Sequence, residues 1–463
     1  MKKTLELGTK QIGKLLAEYS IPAVIAMLVN AVYNIVDRIF IGKISGEEAL
    51  AGLTVSFPMM MVIFAFASMV GAGGAALLSI RLGKKDYRGA SHVFGNTIAL
   101  GILITGVTLI TLFINLNDIL ALFGANDVVV KFAEDYMRII LSGFIFQMIS
   151  FILNTGVRAE GRPLFSMAAM VLSAISNILL DYLFIVLLGW GVKGAALATI
   201  SGQLAGLILL LSFYIRGKSN LHLKISDFFP DLKIARDIII LGFSTFISTI
   251  GVSISMVFLN RGLSQYGGTA AISSMGAINS LYTLFIMPIM GIQQGMQPIL
   301  GYNYGAGLTK RVNQTLKLTL AVAIIFSTTV FLVLELFPSS FITMFIDSQS
   351  DTVAVAVRGL RIFVLLLPLL SINIIGIAYF QSTAKGRIAL ELSLLRQFVF
   401  LVPLVLIIPS FFGLTGVWAA TPIADGLAII ITLIVLIRDR RKRNQMYEAA
   451  KIPLVREAVG DLI

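Results

Sequence analysis

Asp37 lies inside the apolar stretch from Ile21 to Ile41, and Asp181 inside the run from Leu164 to Leu188. A carboxylate near the middle of a bilayer costs about 2.5–3.5 kcal/mol on insertion scales. Two of them approach the net stability of an average protein, about 5–15 kcal/mol. They are tolerable when they face water, a bound cation, or each other across a shared proton. Close carboxylates in a low dielectric raise one another's proton affinity. Such a pair alternates between a proton- or cation-loaded state and an empty, charged one, the switch that export against an inward ion gradient requires.

Other polar residues keep step with the acids. Asn30, Tyr33, Asn34 and Asp37 follow spacings that stack on one helical face, and Asn177 stands one turn before Asp181. Thr199, Tyr136 and Asn154 interrupt further apolar runs. At 1.5 Å per residue, Asp37, Asp181 and Thr199 fall roughly 9, 6 and 8 Å outward of the middles of their runs. Three segments that do not all run the same way thus place two carboxylates and a hydroxyl at similar depth; Asn154 falls toward the opposite side. The bland alternatives are headgroup placement for the acids, since Arg38 follows Asp37, and ordinary interhelical hydrogen bonds for Asn34, Asn154 and Thr199. Pro22 is either a hinge below Asp37 or a first-turn proline after Ser20.

The elements that must hold these residues are membrane helices. Hydrophobic residues make up 57% of the 463 and charged residues only 13%, with mean hydropathy +0.92, so the chain must face lipid rather than water. Runs of about twenty apolar residues fall near 15–41, 51–80, 93–115, 129–156, 164–188 and 193–215, then near 238–260, 269–299, 312–336, 353–382, 388–409 and 416–437. The formal charge of +12 is confined to short patches between runs, which argues against a nucleic-acid partner. Every second connection is basic, which places both termini in the cytoplasm and requires an even number of crossings, about twelve. No cleavable signal is apparent, and the first helix serves as its own insertion signal. Cysteine is absent, and His92 and His222 both read as loop residues. Neither a thiolate enzyme nor a cysteine or histidine metal centre is expected, and no organic cofactor.

The chain also repeats itself. Gly191 to Thr199 answers Gly413 to Thr421, Arg158-Ala-Glu-Gly-Arg162 answers Thr383-Ala-Lys-Gly-Arg387, and Gly46 to Ala49 answers Gly267 to Ala270. The expected fold is therefore all-α, an integral membrane protein of twelve transmembrane helices. They form two homologous six-helix lobes related by a pseudo-twofold axis along the membrane normal. The lobes are assigned to 1–216 and 234–440, joined by a cytoplasmic linker at 217–233 and followed by a tail at 441–463. At the repeat offset Asp37 maps to Phe258 and Asp181 to the stretch around Leu406, so the second lobe lacks both acids. It carries Arg396 and Asp425 at matching depth, expected to pair, while Glu335 is expected at the interface. Methionines such as Met59, Met69, Met287 and Met296 suit an adaptable apolar pocket or simple packing.

At Tyr33-Asn-Ile-Val-Asp37, Asn177-Ile-Leu-Leu-Asp181 and Thr199 the sequence resembles the multidrug and toxic compound extrusion family, over nearly its whole length. Within it the DinF-type branch, near MepA-like exporters, is most similar. The resemblance implies a monomeric, multi-pass transporter of a prokaryotic cell membrane. It implies antiport of lipophilic, often cationic drugs against Na⁺ or H⁺ by alternating access. Asp37 and Asp181 would be the coupling pair, with Asn177 and Thr199 completing a candidate Na⁺ site. Tyr33, Tyr136 and Asn154 would form the surrounding network with Asn177 and Thr199, and Pro22 the hinge; Asn30 and Asn34 join the candidate network through their place on the helical face of Asp37. The acids that a second branch carries in helices seven and ten are missing here. The rival reading, a flippase for lipid-linked saccharides, would be expected to carry extra helices and a cationic cavity. A membrane-embedded enzyme lacks its nucleophile, and a channel would be told apart by ohmic current.

Overall fold

The computed structural model describes residues 2–122, 129–347, 350 and 352–460; the last three residues of the anticipated tail lie outside the described residues. The fold is all-α. A short helix α1 (Lys2–Thr9) precedes α2 (Ile12–Phe40), α3 (Glu47–Gly83), α4 (Tyr87–Ile114) and α5 (Leu116–Leu122). Next come α6 (Val129–Ala159), α7 (Pro163–Asp181) and α8 (Gly191–Ile215). The second half holds α9 (Leu232–Gly305), α10 (Thr309–Leu336), α11 (Pro338–Ile342), α12 (Thr352–Phe363), α13 (Leu367–Ser382), α14 (Gly386–Leu394) and α15 (Val402–Gly460). Among the described residues nine helices are long and apolar enough to cross a membrane, ten if α12 and α13, bent by 49°, count as one span. The 74 residues of α9 would reach about 110 Å if straight, several times a bilayer. Instead the helix is broken at Gly268, φ +60°, as α15 is at Gly413, φ +55°.

Capping residues explain where helix ends depart from the apolar runs. Asp86 accepts from the Gly89 N–H at 2.8 Å and starts α4 ahead of its apolar run, which places His92 on a helix rather than in the expected loop. Asp231 accepts from the N–H groups of Lys233 and Ile234 and starts α9 early for the same reason. Helix α1 went unforeseen, since its eight residues are too few and too polar to read as a span.

The connections repeat along with the sequence. Positive φ recurs at Gly46 and Gly268, at Lys85 and Gly307, at Gly161 and Ala384, and at Gly191 and Gly413, pairs 222 or 223 residues apart. Lys85 and Ala384 adopt a region that side chains disfavour, so these turns are fixed by the helices on either side.

The two halves meet at the end of the molecule that carries Arg81, Lys84, Lys85 and Arg88, here called the basic face. Contact there is backbone to backbone. A Cβ on Gly73 would lie 2.0 Å from the Ile238 carbonyl oxygen, and one on Gly242 1.9 Å from that of Met69. Gly83 and Gly305 stand equally close to the carbonyls of Tyr302 and Ile80. Small residues at a helix crossing permit this approach where lipid offers no hydrophobic drive between helices. One buried apolar cluster runs through the first half and into the second half near this face. A separate cluster around Leu263, Met275, Leu360 and Trp418 fills the far end of the second half.

Candidate functional site

Helices α2, α7, α8 and α6 assemble the first-half site. Glycine sets the distance between α7 and α8: a Cβ on Gly202 would come within 2.7 Å of the Ser173 carbonyl oxygen and 3.0 Å of the Asn177 Cβ. That approach brings Thr199 to Asn177. In one orientation the Asn177 amide donates to Thr199 Oγ1 at 3.4 Å. In the other, which gives both amide atoms a partner, it donates to Asp181 Oδ2 and accepts from the Thr199 N–H, each at 3.3 Å.

Asp181 is fully buried and Asp37 is 8% exposed, so both acids lie inside the protein. They are within electrostatic reach of one another. The buried Tyr136 is near both acids and Tyr33, and within hydrogen-bonding reach of Thr199. Asp37 Oδ1 and Asp181 Oδ1 are buried without a hydrogen-bond partner. Buried polar atoms are rarely left so, and two orphaned carboxylate oxygens are what a proton or a small cation would satisfy. The donors are all hard oxygens, which suits Na⁺ and does not suit a soft transition metal. Among the described residues no three His, Cys, Asp or Glu side chains gather as a metal site.

Other expected members fall elsewhere. Asn34 is exposed on the flank of α2 and donates to the Asn30 carbonyl at 2.7 Å and to Asn30 Oδ1 at 3.2 Å. Asn154 exchanges hydrogen bonds with Ser166, receiving from its hydroxyl at 2.8 Å and donating to its carbonyl at 3.0 Å. It ties α6 to α7 on the basic side of the acids. Pro22 is buried in the interior of α2, well past its first turn, which overturns the first-turn reading. Its missing N–H leaves the Glu18 carbonyl without a helix partner.

In the second half Arg396 Nε meets Asp425 Oδ1 at 2.7 Å, the expected pair. Glu335 meets Arg361 at 3.2 Å, both partly exposed. Three π-helical turns interrupt these helices: Ile41–Ser45 begins one turn after Asp37, Tyr182–Leu187 directly follows Asp181, and Leu395–Leu401 contains Arg396. Such wide turns free backbone groups and recur at functional sites; nothing in the residue pattern announces them.

The sequence also hid a polar network on the basic face. Glu160, 1% exposed, accepts from Ser219 Oγ at 2.8 Å and from the Asn220 N–H at 2.6 Å. Burial pushes its carboxyl up to about 7 against those hydrogen bonds. Thr4 Oγ1 donates to the Glu160 carbonyl, while the Leu7 carbonyl accepts from Asn303 Nδ2 and Arg311 Nη2. Helix α1 thus straps the two halves together. Buried Arg158 donates to Gln294 across the same junction. The one signal for Glu160 is its place in the repeated Arg158–Arg162 segment, where the basic residues draw the eye first.

Residues 22–183 and again 244–407 match the family described as MatE. The multidrug export protein MepA of Staphylococcus haemolyticus is 27% identical over 437 residues, covering 93% of this chain and 94% of that protein. A solved MATE multidrug transporter, DinF-BH in complex with rhodamine 6G, superposes with TM-score 0.87 at 40% identity, covering 94% of this chain and 97% of that one. An outward-facing MATE-family transporter of the MOP superfamily gives TM-score 0.89 at 26% identity, covering 95% and 98%. The chain is thus homologous to the DinF and MepA branch, and its buried acids, repeated connections and twofold match together make it a member of the MatE family of membrane transporters.

Proposed function

We propose that this transporter is an antiporter that exports lipophilic organic cations against an inward flow of Na⁺ or H⁺. The observation that carries the reading is the pair of buried acids, Asp37 and Asp181, each with an orphaned oxygen. Loading that pair removes the cost of a buried charge, and unloading restores it. Asn177 and Thr199 position Asp181, and Tyr33 and Tyr136 wall the site. Asn30 and Asn34, bonded to each other on the flank of α2, and Asn154, bonded to Ser166, stand outside the ion site itself.

In this reading the breaks at Gly268 and Gly413 raise the crossings to twelve, in two lobes at 1–216 and 234–440. The linker covers 217–233, its last two residues already helical, and the tail covers 441–463. The basic face is cytoplasmic. Junctions at Gly73, Gly83, Gly242 and Gly305 close that side. Pro22 lets the basic half of α2 bend when Asp37 changes charge. The protein acts as a monomer in a prokaryotic cell membrane. Similarity to DinF-BH and MepA supports an organic-cation substrate, since one is solved with rhodamine 6G and the other is a multidrug exporter.

The test is transport of rhodamine 6G by proteoliposomes with the Na⁺ and pH gradients imposed separately. One gradient, at least, should drive uphill movement of the dye. Movement that ignores both gradients would leave a uniporter or channel instead.

A further inference from the structure

On the basic face a cavity of about 750 Å³ opens between α1, the start of α2, the start of α7 and the end of α8. Three cations converge on it from three separate segments: Lys3 of α1, Arg162 before α7, and Lys218 after α8. All three are exposed, and none takes part in an ion pair among the described residues. The lining also includes Lys10, Glu6 and Glu18; Lys10 pairs with both acids and leaves that trio one negative charge, against the three positive charges of Lys3, Arg162 and Lys218. The uncompensated charge is therefore positive. Below the cations the wall is apolar. It contains Phe165 and Pro22 and is flanked by Ile21 and Leu164, which are 58% and 63% exposed.

We infer that this cavity binds one anionic diacyl phospholipid, its phosphate among Lys3, Arg162 and Lys218 and an acyl chain along Ile21 and Leu164. The two chemistries lie in the order that a leaflet presents them, charge at the helix ends and hydrocarbon further in. Basic pockets between helix ends on the cytoplasmic side suit such headgroups. A free anion would use only the cationic rim and leave Ile21 and Leu164 uncovered, so the lipid is the occupant both parts fit. The inference rests on the membrane placement of the chain and is independent of how Asp37 and Asp181 work. Its consequence is local: the lipid would bridge α1 to α7 and α8 beside Pro22, and so favour the strapped arrangement in which Thr4 meets Glu160.

Native mass spectrometry of the full chain, released from detergent with added phosphatidylglycerol or phosphatidylcholine, tests this. Each cation near a membrane surface contributes about a fivefold gain toward an anionic lipid, so K3A/R162A/K218A should weaken one phosphatidylglycerol site roughly a hundredfold. Phosphatidylcholine binding should be unchanged, and millimolar inorganic phosphate should not displace the lipid. The three side chains are exposed, so the variant should melt like the wild type in lipid-free detergent; L164D offers a second arm that attacks the apolar wall alone. Equal phosphatidylglycerol retention by wild type and triple variant would overturn the inference. So would wild-type preference for neither lipid, or displacement by free phosphate.

Discussion

Replacing Asp425 with Asn would leave the Arg396 guanidinium buried without its counter-charge. The two side chains, arginine and aspartate, are 16% and 8% exposed and meet at 2.7 Å, far from bulk water. Breaking a buried pair by removing one partner costs about 3–5 kcal/mol, whereas replacing both partners with apolar residues of similar size is often neutral or stabilising. The pair joins the π-helical turn after α14 to α15, so its loss should loosen the second half first. At about 2 °C per kcal/mol for a large chain, D425N should melt on the order of 6–10 °C lower in detergent. The double variant R396M/D425L should recover most of that loss. If the pair is only a staple, the double variant also transports normally. An unchanged melting temperature in D425N would refute the structural role. A stable but inactive double variant would move the pair into the transport mechanism.

Four further outcomes follow from the geometry. Leucine at Gly202 should push α8 off α7, separate Thr199 from Asn177, and reduce gradient-driven transport at least tenfold in vesicles containing equal amounts of folded protein. Leucine at Gly242 cannot fit, because a Cβ there would lie 1.9 Å from the Met69 carbonyl oxygen. Cross-linking of cysteines placed on the basic ends of α3 and α9 should therefore drop sharply in G242L. Alanine at Pro22 should restore the helix bond to the Glu18 carbonyl and stiffen α2, slowing transport without lowering the melting temperature. Finally, the Glu160 carboxyl titrates at about 7 in the folded state against an ordinary value of 4.5. The folded state therefore holds a proton that the unfolded chain has released. Stability from this group is full below about pH 4.5 and declines as pH rises toward 7, by about 3 kcal/mol in all. E160Q should melt with a shallower fall over that window; an identical slope would show that Glu160 does not titrate there.

Most of the fold was legible because lipid imposes a simple rule on sequence. Apolar runs gave the helices to within a few residues, and the errors lay at Asp86 and Asp231, where a polar cap extends a helix into a charged loop. The repeat was readable from short glycine motifs, and the positive φ angles keep the register at Gly191 and Gly413 but correct it elsewhere, pairing Gly46 with Gly268 rather than Gly267 and Gly161 with Ala384 rather than Gly386. The acids were visible because charge within an apolar run is costly. What stayed hidden depends on contacts between distant segments. Thr4 to Glu160 and Arg158 to Gln294 join residues over a hundred positions apart, and no local pattern marks them. The π-helical turns after Asp181 and around Arg396 leave no residue signature either. The break at Gly268 falls where the sequence already separated the runs at 238–260 and 269–299, although helix continues on both sides of it.

The central claim is that Asp37 and Asp181 hold the coupling ion. It is tested most directly by gradient-driven dye transport in proteoliposomes of D37N and D181N, with the wild type in parallel. Both variants should fold and melt as the wild type does, yet fail to move rhodamine 6G uphill. Uphill transport at the wild-type rate by both variants would contradict the account.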